Sequence, residues 1–536
     1  MADLRSAGAT TARGEAARAE RGRWLPPRAR LPLVVTAAAV VVLAGIFLAM
    51  SPGGTDLSAQ VARTDFVRAH GIRPIDFRWY GGVDQFGYSL VSPFVMALIG
   101  VRLTGALAAV ASSLLFTMLL LRTGARRPAL GGVAGAICIV ANLVSGRITY
   151  SLGLAFALGA LVALTDHDVR RRRVVLVLAG GLAAATSPVA GLFAGLAGVA
   201  LILTGRRNDG LLLGAVSLIP IALIAGLFGH SGWMNISSSD VRHAVVLCAV
   251  VLVVVPHRVV RVGALLAGAG IVVAYLVHTP VGLNSIRLPV MFAIPVVVAT
   301  MRWRAPVAIL LAALLGWWQS PVMLSDLHDA GTATASESYY TPLTEELAAL
   351  HPTGRVEVPP TRDYWESVYV ARHAQLARGW WRQLDIGYNG IFFGGRLSAS
   401  TYHDWLANNA VEYVAVSDGA MSWTGRAEAT LIRQGLPYLH QVWARGHWTL
   451  YAVTSPTPLA SRPATMVTSG ASSITVQVSR PGIVALKVRF TRWLTVSPKG
   501  ACVSADGAWT RLVVNQAGTY KVSSALRFSQ PEHCAD

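Results

Sequence analysis

Between residues 31 and 325 the apolar positions gather into long runs instead of alternating with polar ones. The first run, residues 31–50, is long enough to cross a hydrocarbon core of about 30 Å. It is too long for a typical signal-peptide core, and more runs follow, so it reads as a retained first helix. Further runs lie near residues 102–121, 129–145, 148–164, 174–187, 188–204, 210–228, 240–256, 262–278, 288–301 and 305–322, which makes eleven. Residues 1–30 are polar, Ala/Arg-rich and without apolar periodicity, the pattern of a disordered basic tail.

The pattern changes after about residue 326. Residues 326–460 predict a mixed α/β domain, with strands at 355–358, 412–416 and 449–453 and helices at 342–350 and 426–434, the second closed by Gly435. Residues 461–536 alternate in short runs at 474–478, 483–490 and 511–514, parted by Gly, Pro and Asn, which predicts a small β-sandwich. The expected fold is a mostly α polytopic membrane protein of about eleven transmembrane helices (residues 31–325) with these two C-terminal units.

Composition sharpens this. Of 536 residues, 53% are hydrophobic and 14% charged, against about 25% charged in soluble proteins. A single soluble globular domain is thereby excluded. The net charge of +19 could suggest nucleic acid, but only Lys487, Lys499 and Lys521 are lysines, and arginine clusters between the apolar runs. With residues 1–30 in the cytoplasm, 20 arginines fall on the inner side and eight in the outer connections, the positive-inside asymmetry of a plasma-membrane protein. Eleven spans then carry the C-terminal domain outside the cytoplasm. Cys138 and Cys248 fall inside apolar runs, whereas Cys502 and Cys534 fall in the outer domain and are expected to be bridged. No glycine-rich phosphate loop with its lysine is present, which argues against ATP hydrolysis. His351, His373 and His403 lack metal-ligand spacing, so no metal site is assigned.

The chemistry-bearing stretch is the first outer loop, residues 51–88, far longer than a connection requires. After Gly53-Gly54-Thr55, residues 56–69 read as an amphipathic helix. At about 100° per residue, Asp56, Gln60, Arg63 and Val67 share one face and Asp65 lies opposite. Trp79-Tyr80-Gly81-Gly82 and Tyr88 through Pro93 follow. Asp56 reads either as a helix cap or as a general base on an acceptor hydroxyl, with tryptophan and tyrosine as a platform for a sugar ring.

Gly54-Thr55-Asp56-Leu57 after the first span, then Trp79-Tyr80-Gly81-Gly82, then Tyr88 to Ser92-Pro93 before the second, resembles the multispan C-type glycosyltransferase superfamily. More closely, it resembles actinobacterial membrane proteins of that type with a large extracytoplasmic C-terminal domain. The resemblance implies a sugar on a polyprenyl phosphate as donor, transfer to a cell-envelope glycan or lipid on the outer face, and Asp56 as the catalytic acid of the loop. A divalent cation is open as a cofactor, with Asp65, Asp76 and Asp84 as candidate second acids. Arg287 and Asn284, between spans nine and ten, and Arg147, between spans three and four, are candidate donor-phosphate ligands through guanidinium forks; each arginine also suits snorkelling to the interface. Gln60, Arg63, Trp79, Tyr80 and Tyr88 are candidate substrate contacts. The segments 362–366 and 378–385 mix arginine, carboxylate and large aromatics, which suits either sugar binding or a core with buried ion pairs. A transporter or flippase of lipid-linked sugars is the alternative, although acids are almost absent from the apolar runs. A non-catalytic scaffold of envelope assembly is a third reading.

A reporter fused after residue 330 is expected to be active only outside the cytoplasm. A cytoplasmic signal there would overturn the eleven-span topology.

Overall fold

The computed structural model describes residues 27–229, 232–318, 323–329, 331–527 and 534. Residues 1–26 of the expected tail lie outside the described residues, and the first helix starts earlier than predicted, at Pro27. Each of the eleven apolar runs is a helix: Pro27–Met50, Val101–Arg122, Pro128–Val144, Ile148–Ala163, Val169–Thr186, Pro188–Leu203, Arg207–Phe228, Ser238–Val254, Arg258–Leu276, Arg287–Thr300 and Ala305–Trp318. Among the described residues, five helices are long and apolar enough to cross a membrane, and four further apolar helices are shorter. Their outward faces carry large apolar side chains such as Val253 and Leu276, 78% and 73% exposed. Such surfaces fit a membrane protein, because lipid and not water is their natural solvent. An additional short helix, Ser92–Ile99, precedes the Val101 helix and ends at Gly100.

The C-terminal half is β-rich. Val411–Ser417 pairs in parallel with Arg355–Glu357 and antiparallel with Trp448–Val453, which in turn pairs with Leu439–Arg445. Helices Glu337–Leu350, Ala399–Asn408 and Trp423–Arg433 accompany this sheet. Beyond residue 460, a four-stranded and a three-stranded sheet share one apolar core of Ile474, Val476, Val522, Val484 and Leu512. Strand alternation sends every second side chain of these strands inward. Strands Leu439–Arg445, Ala464–Ser469, Leu494–Ser497, Ala501–Asp506 and Gly518–Ser524 were not predicted. Cys502 and Cys534 form a disulfide.

Buried charge marks the α/β unit. The Arg378 guanidinium is bidentate to Asp385 (3.0 and 2.7 Å) and bonds Glu428 at 2.8 Å, with Glu357 at 3.9 Å. All four side chains are at most 3% exposed. One cation faces three carboxyl groups, so one of them must keep its proton. Burial, with Glu428 alongside, drives Glu357 well above the usual carboxylate range. Glu428 is raised by burial too, but Arg378 and the Tyr402 hydroxyl (2.9 Å) favour its charged form. Glu357 therefore holds the proton.

A group with a raised folded pKa contributes stability below its unfolded value and loses it as pH rises through the folded one. Glu357→Gln, which mimics the neutral acid, should match the parent below about pH 4 and exceed it increasingly as pH rises through neutral, where the parent must take up a proton to fold. Glu428→Gln should cost about 3 kcal/mol, because it strips a charge partner from a buried guanidinium. Thermal unfolding across pH separates the two; equal losses would contradict this proton assignment.

Candidate functional site

The first loop folds as predicted into a helix, Leu57–His70, with Asp56 at its N-cap position. Asp56 reaches this place because two turns interlock. Gly54 (φ +47°) and Gly146 (φ +77°) adopt left-handed backbone, and a Cβ on Gly54 would sit 2.6 Å from the Val144 carbonyl while one on Gly146 would strike the Leu57 backbone. Only glycine permits that approach. The Asp56 N–H then donates to Ser145 O at 2.9 Å, which sets the aspartate beside Arg147.

Among the described residues, the Asp56 carboxylate accepts no capping bond from its own helix. It turns instead to Arg147 Nε (3.2 Å) and Arg287 Nη2 (3.7 Å), all three side chains being 15–20% exposed. The cap reading thus fails on geometry. Asp56, Arg147, Arg287 and Asn284 all line one cavity of about 830 Å³. Arg362 and Arg382 line it too, against the carboxylates of Asp56 and Asp240, so its polar wall carries a cationic excess. The remainder is largely apolar, with Ile137, Leu192, Ile224, Val290 and Ile294 contributed by the helices.

Tyr88, Trp380, Trp381 and Trp423 supply the aromatic wall. Tyr88 meets Trp380 and Trp381 edge to face at 6.0 and 5.7 Å, a favoured arrangement of ring quadrupoles. Its hydroxyl has a defined direction. Thr149 Oγ1 donates to Gln60 Oε1 (2.6 Å), so the Gln60 amide N–H₂ donates to the Tyr88 oxygen (3.2 Å) and leaves the phenolic proton for a ligand. Burial raises the phenol above its ordinary value; Asp56 adds to this, and Arg63 and Arg287 oppose it.

Four of the expected substrate contacts occupy different places. Gln60 is buried behind Tyr88 and acts through it. Arg63 is sealed in, its guanidinium 4.0 Å from the Tyr88 ring and 4.7 Å from Trp381, with no hydrogen-bond acceptor among the described residues. Burial lowers it to about 10. Trp79 and Tyr80, expected as a sugar platform, are 0% and 1% exposed. Trp79 Nε1 donates to Ser367 O (3.1 Å) and the Tyr80 hydroxyl to Gly379 O (2.6 Å), so both rings are spent on docking the loop to the C-terminal half. Burial decides their role: amphipathic rings beside two glycines read as a surface until a second surface covers them. Trp380, Trp381 and Arg382, which do line the cavity, come from the other segment singled out in the sequence, and Arg378 with Asp385 in that segment is buried ion-pair core.

None of the candidate second acids lines the cavity. Asp65 pairs with Arg372 (2.6 Å), Asp76 with Arg78 (2.7 Å), and Asp84 is buried and pushed up to about 8 by desolvation. Asp326 was missed: it accepts from the Ser145 hydroxyl and from the Thr55 N–H, directly behind Asp56. Among the described residues no group of three His, Cys, Asp or Glu side chains could hold a metal ion, and Asp56 is committed to arginines, so this donor set does not fit a divalent cation.

A Cβ at Gly379 would lie 2.6 Å from Trp79 Cγ. Gly379→Ala should therefore destabilise the docked loop by about 1–3 kcal/mol and increase proteolysis of the 51–88 segment. Unchanged unfolding and proteolysis would show that this contact is not what holds the loop. Compared with known protein families and with curated proteins, the chain matches none.

Proposed function

We propose that the chain is an integral membrane glycosyltransferase of the C-type superfamily, moving a sugar from a polyprenyl-phosphate donor to an envelope glycan or lipid acceptor on the outer face of the membrane. Eleven spans, a cytoplasmic N-terminus and an extracytoplasmic C-terminal half belong to this reading. One observation carries it: a carboxylate and two arginines meet in the lining of a cavity whose remaining lining is largely apolar. That combination suits a ligand with an anionic head and a hydrocarbon tail, since the guanidinium groups take phosphate oxygens and the helices take the chain.

The same geometry suggests an exchange. In the free protein Arg147 and Arg287 hold the Asp56 carboxylate. A bound phosphate competes for both guanidinium groups and releases Asp56 to the acceptor. The acceptor hydroxyl gives its proton to Asp56 as its oxygen bonds the anomeric carbon. The bond from that carbon to the phosphate oxygen breaks, and the electron pair leaves with the polyprenyl phosphate, whose charge the arginines balance. Tyr88 and the tryptophan rings offer faces and one hydroxyl to the sugar.

Asp56→Asn should lower transfer in membranes by roughly 10²-fold or more while costing roughly 1 kcal/mol or less of stability. Arg287→Ala should weaken donor binding, because its role is to balance charge in ground and transition states alike. Full activity of Asp56→Asn would end the assignment.

A further inference from the structure

The helix that carries Asp56 at its start bears a second cleft at its other end, about 20 Å away by helical rise. This cleft, of about 580 Å³, is walled by Phe66, His70, Arg372, Gln375 and Ser469, among others. Three segments distant in sequence build it, tied together by Phe77 N–H donating to Ala471 O (2.8 Å) and Gln375 Nε2 donating to Gly470 O (3.2 Å). Asp65 stands here, as its position opposite Asp56 on the helix requires.

Two buried polar atoms of this wall have no hydrogen-bond partner among the described residues: Gln375 Oε1 and Ser469 Oγ. Gln375 is 2% exposed, and its amide nitrogen is fixed on Gly470, so the orphaned oxygen has one direction and calls for a donor. Leaving such an atom bare costs about 1–3 kcal/mol. The arginines, in contrast, are already engaged. Arg78 is held by Asp76 and Ala62 O, Arg372 by Asp65 and Glu337, and Arg68 by the Ala97 and Met96 carbonyls. An anionic ligand would have to break those pairs, whereas a hydroxylic one would complete the wall as it stands. His70 lies against Phe66 at 5.0 Å between ring centroids, and burial lowers its pKa, which favours the neutral imidazole with one donor and one acceptor nitrogen.

We infer that this cleft is a second binding site, taking a neutral polyhydroxylated ligand: a stretch of glycan chain whose hydroxyls donate to Gln375 Oε1 and exchange bonds with Ser469 and His70. That the bound glycan is the acceptor rests on the transferase reading; the binding itself does not.

The experiment titrates the full-length protein in detergent with short neutral oligosaccharides of glucose, mannose, galactose and arabinose, and with a sulfated dextran fragment, by calorimetry. At least one neutral oligosaccharide should bind. Gln375→Leu and Ser469→Ala should each weaken it roughly fivefold or more, and Asp56→Asn should bind as the parent does. Ser469 ends its strand, and Ser469→Ala keeps the test decisive where Gln375→Leu disturbs folding, the unfolding midpoint serving as control. No binding by any neutral oligosaccharide, binding by the sulfated fragment alone, or binding indifferent to both substitutions would overturn the proposal. Oligosaccharide binding in a parent protein that performs no transfer would support the cleft and sink the catalytic reading.

Discussion

The docking of Trp79 and Tyr80 onto the backbone at Gly379–Trp381 holds the two halves of the chain in register. Trp79 lies against Gly379 so closely that no Cβ fits, and the Tyr80 hydroxyl bonds the Gly379 carbonyl and, at 3.3 Å, that of Trp381. The sandwich joins the same seam, since the Arg489 N–H and Nε donate to the Gly81 and Tyr80 carbonyls, both at 2.9 Å. Trp380 completes it with a 2.8 Å bond to Thr55 O, one residue before Asp56. A loop between two apolar helices is thereby roofed by side chains some three hundred positions away, and the cavity exists only because this roof is in place.

Charge is distributed to match. The cavity wall gathers arginines in excess of carboxylates, whereas the interior of the α/β unit gathers three carboxyl groups around Arg378. The first arrangement leaves a local cationic excess, because one carboxylate, Asp56, is shared between Arg147 and Arg287. The second is static: Asp385 and Glu428 fix the guanidinium, and a proton on Glu357 removes the residual repulsion. Arg378 immediately precedes Gly379, so the ion-pair core anchors the strand of chain that roofs the cavity.

The loop helix divides two environments. Asp56 and Asp65 stand on opposite faces, and the structure sends one to Arg147 and Arg287 and the other to Arg372. Placing a charge on each face of one short helix gives the loop two polar ends and a buried apolar middle, Leu57, Ala62 and Phe66, that packs between them.

Hydropathy by itself determined the apolar helices, because an unbroken run has no other stable form in lipid. Alternation determined the three strongest sandwich strands, and 100° of rotation per residue determined that Asp56 and Asp65 part company. Cys502 and Cys534 were legible as a pair because they alone fall outside the apolar runs. Weakly alternating strands such as Ala464–Ser469 were not, since their pairing partners, and not their own pattern, make them strands. Nor was the fate of the aromatics. The local sequence around Trp79 and Tyr80 is equally suited to a sugar platform and to an interface, and only the arrival of Gly379 decides. Asp326 likewise carries no local mark of a site, and the mixed charge and aromatics of segment 378–385 do not tell Trp380 and Arg382, which line the cavity, from Arg378 and Asp385, which are core. Their meaning comes from contacts across hundreds of residues, which periodicity over a few turns cannot register.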